Sequence, residues 1–179
     1  LWAAFIAAAA GLAGYFDLIG NAGEIFTKYD RASGTFKDPN VFGGFLVPAV
    51  IYALHLVMTR PFLRTLLPAM MVAVLTIAIL VSFSRGAWLN VAIAGAAYGY
   101  LAFITARRNI DRLKLLSLAA FGAVGVIGIV IATLQVPEIG EQFLDRATIL
   151  QSYDEGPEGR FGGQMRALGL ILENPLGIG

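Results

Sequence analysis

VSFSRGAWLN, residues 81–90, lies inside a long apolar run. From Leu66 to Ala106 the single charged residue is Arg85. Whether this run is a pair of membrane spans or a soluble core decides the fold. The side on which Arg85 emerges then decides what its guanidinium can do.

The composition favours a bilayer. The 179 residues are 58% hydrophobic and 14% charged, with a mean hydropathy of +0.73. Soluble domains carry about 25% charged residues, and a soluble core of this composition would leave large apolar patches in water. The net charge is +1, with no basic tract interleaved with aromatics, so the chain does not read as a nucleic-acid binder. Cysteine is absent, which excludes disulfides and thiolate metal sites. The first residues, LWAAFIAAAAGLAGYF, lack a basic n-region and read as an apolar segment entered partway rather than a signal peptide. The chain accordingly reads as an internal stretch of a longer protein.

A spanning helix needs about 20 mostly apolar residues. Five segments qualify as candidates: 1–16 (a clipped one), 41–58, 66–83, 87–106 and 115–136. The connections alternate in charge. Arg60 and Arg64 lie in 59–65, and Arg107, Arg108, Arg112 and Lys114 face only Asp111 in 107–114. Every other acid falls in 17–40 or after Val136. Short loops rich in Lys and Arg stay in the cytoplasm. The 59–65 and 107–114 loops are therefore expected inside, and 17–40, the 84–86 turn and 137–179 outside. The expected fold is an all-α membrane protein of about five spans, 1–136, followed by an outer segment, 137–179, with short amphipathic helices. In that segment Ile139, Phe143, Ala147 and Leu150 share one helical stripe, and Phe161, Met165, Leu168 and Leu172 another, which Pro175 ends. Gly95, Ala96, Ala97, Gly99, Gly122, Gly125 and Gly128 are expected to let helices pack closely. Pro48 and Pro68 are expected to remove in-helix hydrogen bonds and kink their spans.

A tight turn at Ser84–Gly86 would hold Arg85 at or just below the outer interface. One reading is a snorkelling anchor with its head among lipid phosphates. The other is a ligand contact, since arginines held in hydrocarbon face a cavity or a partner. Three features bear on the choice: the positive-inside tendency does not call for an arginine outside, Ser84 and Gly86 leave room for a ligand, and Arg31 and Arg160 share that side. Guanidinium forks match phosphate oxygens in pairs, so the three arginines together could hold a lipid diphosphate. In DRASGTFKDPN, Gly34, Asp38, Pro39 and Asn40 build a turn. Asn40 is the expected cap of the second span, and Asp38 a possible arginine partner.

The motifs Arg31-x-Ser-Gly-Thr-Phe-x-Asp-Pro-Asn40, Ser84-Arg85-Gly86 between two spans, and Arg160 leading an amphipathic helix into Asn174-Pro175-Leu176-Gly177-Ile178-Gly179 resemble the O-antigen ligase and O-antigen polymerase family of bacterial membrane proteins. The resemblance covers most of the chain. It implies an inner-membrane glycosyltransferase of the GT-C kind. Such an enzyme moves a glycan from undecaprenyl diphosphate to an acceptor sugar at the periplasmic face, with no cofactor or metal. It implies Arg85 and Arg160 as catalytic diphosphate contacts, with Arg31 as a third diphosphate-binding residue. Membrane lipids would surround the protein. The family's loop histidine would lie beyond Gly179; His55, toward the cytoplasmic end of its span, is expected to be a packed or interfacial residue. Nothing in the chain separates ligase from polymerase. The competing class is a transporter or other non-catalytic membrane protein; an ion-coupled carrier would place ionisable residues within several spans, and here only His55 comes close.

Overall fold

The structure is a computed structural model, and it describes residues 1–136, 140–141, 143–144, 160–175 and 177, with the side chains of 62, 133, 160 and 161 set aside. It is mostly helical. In chain order the elements are α1 (Trp2–Tyr15), α2 (Ala22–Phe26), the short strands β1 (Thr27–Lys28) and β2 (Arg31–Ala32), α3 (Pro39–Thr59), a single 3-10 turn (Phe62–Arg64), α4 (Leu66–Val81), α5 (Arg85–Thr105), α6 (Asn109–Leu134) and α7 (Arg160–Glu173). Three helices, α3, α5 and α6, are long and apolar enough to cross a membrane; α1 and α4 are apolar but shorter, at 14 and 16 residues.

The core lies among α1, α3 and α4. Phe42, Leu46, Val50 and Ala53 of α3 form one buried stripe at helical spacing. They meet Met71, Leu75, Ala78 and Ile79 of α4 and Ala4, Ala7 and Ala8 of α1. α5 leans on α3, and α6 touches α5. The outer helices stay almost wholly uncovered: only 6% of the apolar window of α5 and none of that of α6 is buried. Helices apolar on all sides and unburied by protein are suited to lipid. Arg112 at the start of α6 turns back, donating to the Ala106 carbonyl (3.3 Å) at the end of α5 and lying over the Phe103 ring. A cation there satisfies carbonyls that the helix leaves unpaired.

The ends of α1 and α4 and the start of α3 lie together, as do the later parts of α3 and α5, so the bundle of long helices has two ends. The 16–38 connection and the turn after α4 gather at one end, called here the hairpin end, and Phe143 lies there too, against Trp88. The basic connections 60–65 and 106–108 lie at the other.

Several sequence expectations change. The 17–40 connection is not a plain loop: it carries α2 and a two-strand hairpin pairing Thr27 with Ala32 and Lys28 with Arg31. α3, α5 and α6 start earlier than expected; α3 also ends later, whereas α5 and α6 end sooner. The turn between α4 and α5 is Ser82–Ser84, two residues earlier than expected, and Arg85 and Gly86 belong to the first turn of α5. Pro68 breaks nothing. It is the third residue of α4, where an N–H would have no helical partner, and the first bond of the helix runs from the Ala69 N–H to the Thr65 carbonyl (2.9 Å). Pro48 does lie in a helix interior, and α3 continues past it. The expected amphipathic helix is present as α7, with Met165, Leu168 and Leu172 exposed. The stripe expected at 139–150 lies outside the described residues except at Phe143.

The glycines expected to mediate close packing do not. A side chain at Gly95, Gly99, Gly122, Gly125 or Gly128 would meet nothing within 4 Å. Gly95, Gly99 and Gly122 instead line an apolar groove of about 880 Å³ between α5 and α6. Close approach is concentrated near the hairpin end, where a Cβ on Gly43 would stand 2.8 Å from both Ala87 Cβ and Ser82 Oγ. Gly43→Ala is therefore expected to destabilise the protein in detergent by about 1–3 kcal/mol through overpacking. Gly99→Ala is expected to be neutral or to stabilise by up to about 1 kcal/mol. Unfolding midpoints of the two variants check the contrast.

Candidate functional site

The hairpin turns at Tyr29 and Asp30, both with positive φ (56° and 54°). Positive φ at both central residues is the geometry of a type I′ turn, whose twist matches that of paired strands. Asp tolerates the left-handed region and Tyr does so poorly. Short as it is, this hairpin delivers Arg31 inward. Arg31 is only 6% exposed. Its Nε donates to the Ser82 carbonyl (2.7 Å) and its Nη2 to Asn40 Oδ1 (2.9 Å). One guanidinium thus joins the hairpin, the α4–α5 turn and the start of α3.

Gly34 lets the chain after the hairpin tuck under α1. Its φ is +55°, and a Cβ there would stand 2.7 Å from the Ala7 carbonyl oxygen. The chain then enters α3 through Asp38. The expected capping roles are exchanged. Asp38 is the cap, accepting from the Asn40 N–H (2.6 Å) with Pro39 in the first turn, and Asn40 is the residue that binds an arginine. The exchange has a physical cause: proline is preorganised for the first helical position, which makes the residue before it the cap.

The Ser82–Ser84 turn is held from several sides. Ser82, Phe83 and Ser84 are all buried. Phe83 has φ +47°, a conformation a bulky residue adopts only under constraint. Its ring packs near Tyr15 (6.1 Å between centroids) and Trp88 (6.4 Å). Ser82 Oγ donates to the Ile79 carbonyl (2.7 Å), and Trp88 Nε1 donates to the same carbonyl (3.1 Å). Ser84 caps α5, accepting from the Ala87 N–H (3.3 Å).

Arg85 follows as the first residue of α5, half-buried, and Gly86 beside it is exposed with open space around it. The first backbone N–H groups of a 21-residue helix point toward this spot and carry the positive end of its dipole. Phe143 stacks on Trp88 (5.2 Å), near the start of α5.

Of the three arginines expected to act together, Arg31 and Arg85 are brought to the same end, flanking one turn. Arg31 is buried beneath that turn and Arg85 leads out of it. Arg160 opens α7, and its side chain lies outside the described residues. His55 is far down α3, with Nδ1 3.3 Å from the Tyr98 hydroxyl and the two rings edge to face. Among the described residues no cluster of His, Asp and Glu could hold a metal ion. The reading of residue types missed Asn40 as the arginine's partner and Ser82 as its anchor. No local pattern marks a backbone carbonyl as an acceptor for a side chain 51 residues away.

Comparison with known proteins gives no match: no family model fits the chain, and no curated protein or solved structure is significantly similar to it.

Removal of the Asp38 carboxylate is expected to cost about 1 kcal/mol of stability, as loss of an N-cap does. Asp38→Ala should lower the unfolding midpoint in detergent, and Asp38→Ser should recover most of the loss.

Proposed function

We propose that the chain crosses the bacterial inner membrane five times and helps transfer a glycan from undecaprenyl diphosphate to an acceptor sugar at the periplasmic face, as its resemblance to the O-antigen ligase and polymerase family implies. The observation that carries the reading is Arg85 at the first turn of α5, beside an open Gly86, at the end of the bundle where the acidic 17–40 connection lies. In this reading α1 and α4 span together with the three longer helices. The 59–65 and 107–114 loops face the cytoplasm, and the hairpin end and 137–179 face the periplasm.

In the transfer, the acceptor hydroxyl oxygen bonds to the anomeric carbon of the donor glycan as the bond from that carbon to the diphosphate oxygen breaks. The acceptor's proton passes to a base, and undecaprenyl diphosphate leaves with the added negative charge. Preorganised donors aimed at a developing charge lower the barrier, typically by a few kcal/mol each. Arg85, the exposed start of α5 and Arg160 are the groups assigned to that charge.

Two experiments test this. In the full-length protein, Arg85→Ala and Arg160→Ala are each expected to reduce glycan transfer by on the order of 100-fold or more while membrane insertion is unchanged. Normal transfer in either variant removes that arginine from the mechanism. Because the chain has no native cysteine, single cysteines report sidedness cleanly. A cysteine at 85 or 160 should react with a membrane-impermeant thiol reagent from the periplasm, and one at 110 should not. The reverse pattern overturns the topology.

A further inference from the structure

Arg31 is the chain's most deeply committed arginine among the described residues, and its contacts point away from a simple role as a third phosphate contact. Its Nε is engaged by the Ser82 carbonyl and its Nη2 by Asn40, with the side chain enclosed between β2, α3 and the end of α4. The turn that it grips holds Phe83 in the left-handed region and hands the chain directly to the capped start of α5. A strained conformation persists only where surrounding contacts over-determine it. Here those contacts are the Phe83 ring packing, the Ser84 cap and the Arg31 fork. The Phe83 ring reaches Tyr15 of α1, and the fork ties the turn to the hairpin and, through Asn40, to the start of α3.

We propose that Arg31 is a positioning residue: by fixing the Ser82–Ser84 turn it sets the direction in which Arg85 and the first N–H groups of α5 meet a lipid diphosphate. The proposal rests on the reading of Arg85 given above. Lysine cannot replace the fork, because an ammonium does not reproduce two hydrogen bonds in a fixed plane. Asn40 matters only as an acceptor, so aspartate can take its place.

The test combines amide hydrogen exchange on the full-length protein in nanodiscs with its transfer kinetics in proteoliposomes containing undecaprenyl-diphosphate-linked glycan. Arg31→Lys and Asn40→Ala should both speed exchange at residues 82–88 while α1 and the middle of α3 keep their protection; Asn40→Asp should restore the native pattern. Turnover should fall about 10-fold or more in the first two variants, with the donor KM changed by less than about 3-fold, as expected when a group that acts in the transition state is misplaced. Unchanged exchange at 82–88 in both variants overturns the proposal, as does faster exchange throughout the bundle, which would mark a general stability role. Full turnover in Asn40→Ala combined with a raised donor KM in Arg31→Lys also overturns it, by making Arg31 a direct ligand. If the unmodified full-length protein transfers no glycan while the local exchange changes appear, the anchoring of the turn stands and the assignment of its purpose falls with the proposed function.

Discussion

The hairpin end is organised around one buried cation. A guanidinium taken out of water is costly unless its donors are met, and hydrogen bonds involving a charged group are worth roughly 1.5–3 kcal/mol each. Arg31 meets this demand with oxygens from distant parts of the chain, the carbonyl of Ser82 and the side chain of Asn40. Neither oxygen is optional once the arginine is enclosed. The register of the hairpin, the start of α3 and the end of α4 are therefore specified together. Gly43 supports the same constraint from below: without a side chain, α3 can pass against Ser82 and Ala87. Polar specification of this kind is useful in a protein whose helices are otherwise apolar on every face and could slide or rotate against one another at little cost.

The helical runs and the two-ended arrangement of their connections are legible in the residues, because apolar length and loop charge are properties of composition over long windows. Helix edges are not, because caps decide them. Asp38 governs the start of α3 because Pro39 follows it, and Ser84 governs the start of α5, which moves Arg85 from a turn into a helix. The hairpin is illegible for a different reason. Tyr29-Asp30 lacks the Asn-Gly or Asp-Gly signal of a type I′ turn, and two-residue strands have no measurable periodicity. The glycines of α5 and α6 illustrate a third limit. Small residues permit close packing, but composition does not say whether a neighbour is there to use it. At Gly11, Gly14, Gly34 and Gly43 one is; at Gly95, Gly99 and Gly122 the space is open.

The candidate site divides along the same line. That Arg31 and Arg85 belong to one region follows from the alternation of the spans, which sends the 17–40 connection and the α4–α5 turn to the same end. That they have different surroundings, one buried under the turn and one opening from it, depends on contacts 51 and 9 residues apart in the chain. Residue type alone treats the two guanidiniums as equivalent ligands. Packing separates them.

Arg85 adds a full positive charge to a helix end that already favours anions. Helix first turns favour acidic side chains, because the dipole and the unpaired N–H groups already make that end positive, by roughly 0.3–1 kcal/mol for each exposed charge. The first turn of α5 contains no acid and begins with an arginine. The positive charges thus reinforce one another at a point where Gly86 leaves the approach open. Coulomb attraction is several times stronger at a low-dielectric interface than in bulk water. A diphosphate arriving there would meet a full charge and a helix end acting in the same direction, and it would gain most as its own charge grows on departure of the sugar. A ligand of lesser charge, such as a neutral lipid head group, would gain less there. Under the proposed function, Arg85 and the helix end acting in the same direction favour the charged leaving group over a neutral head group.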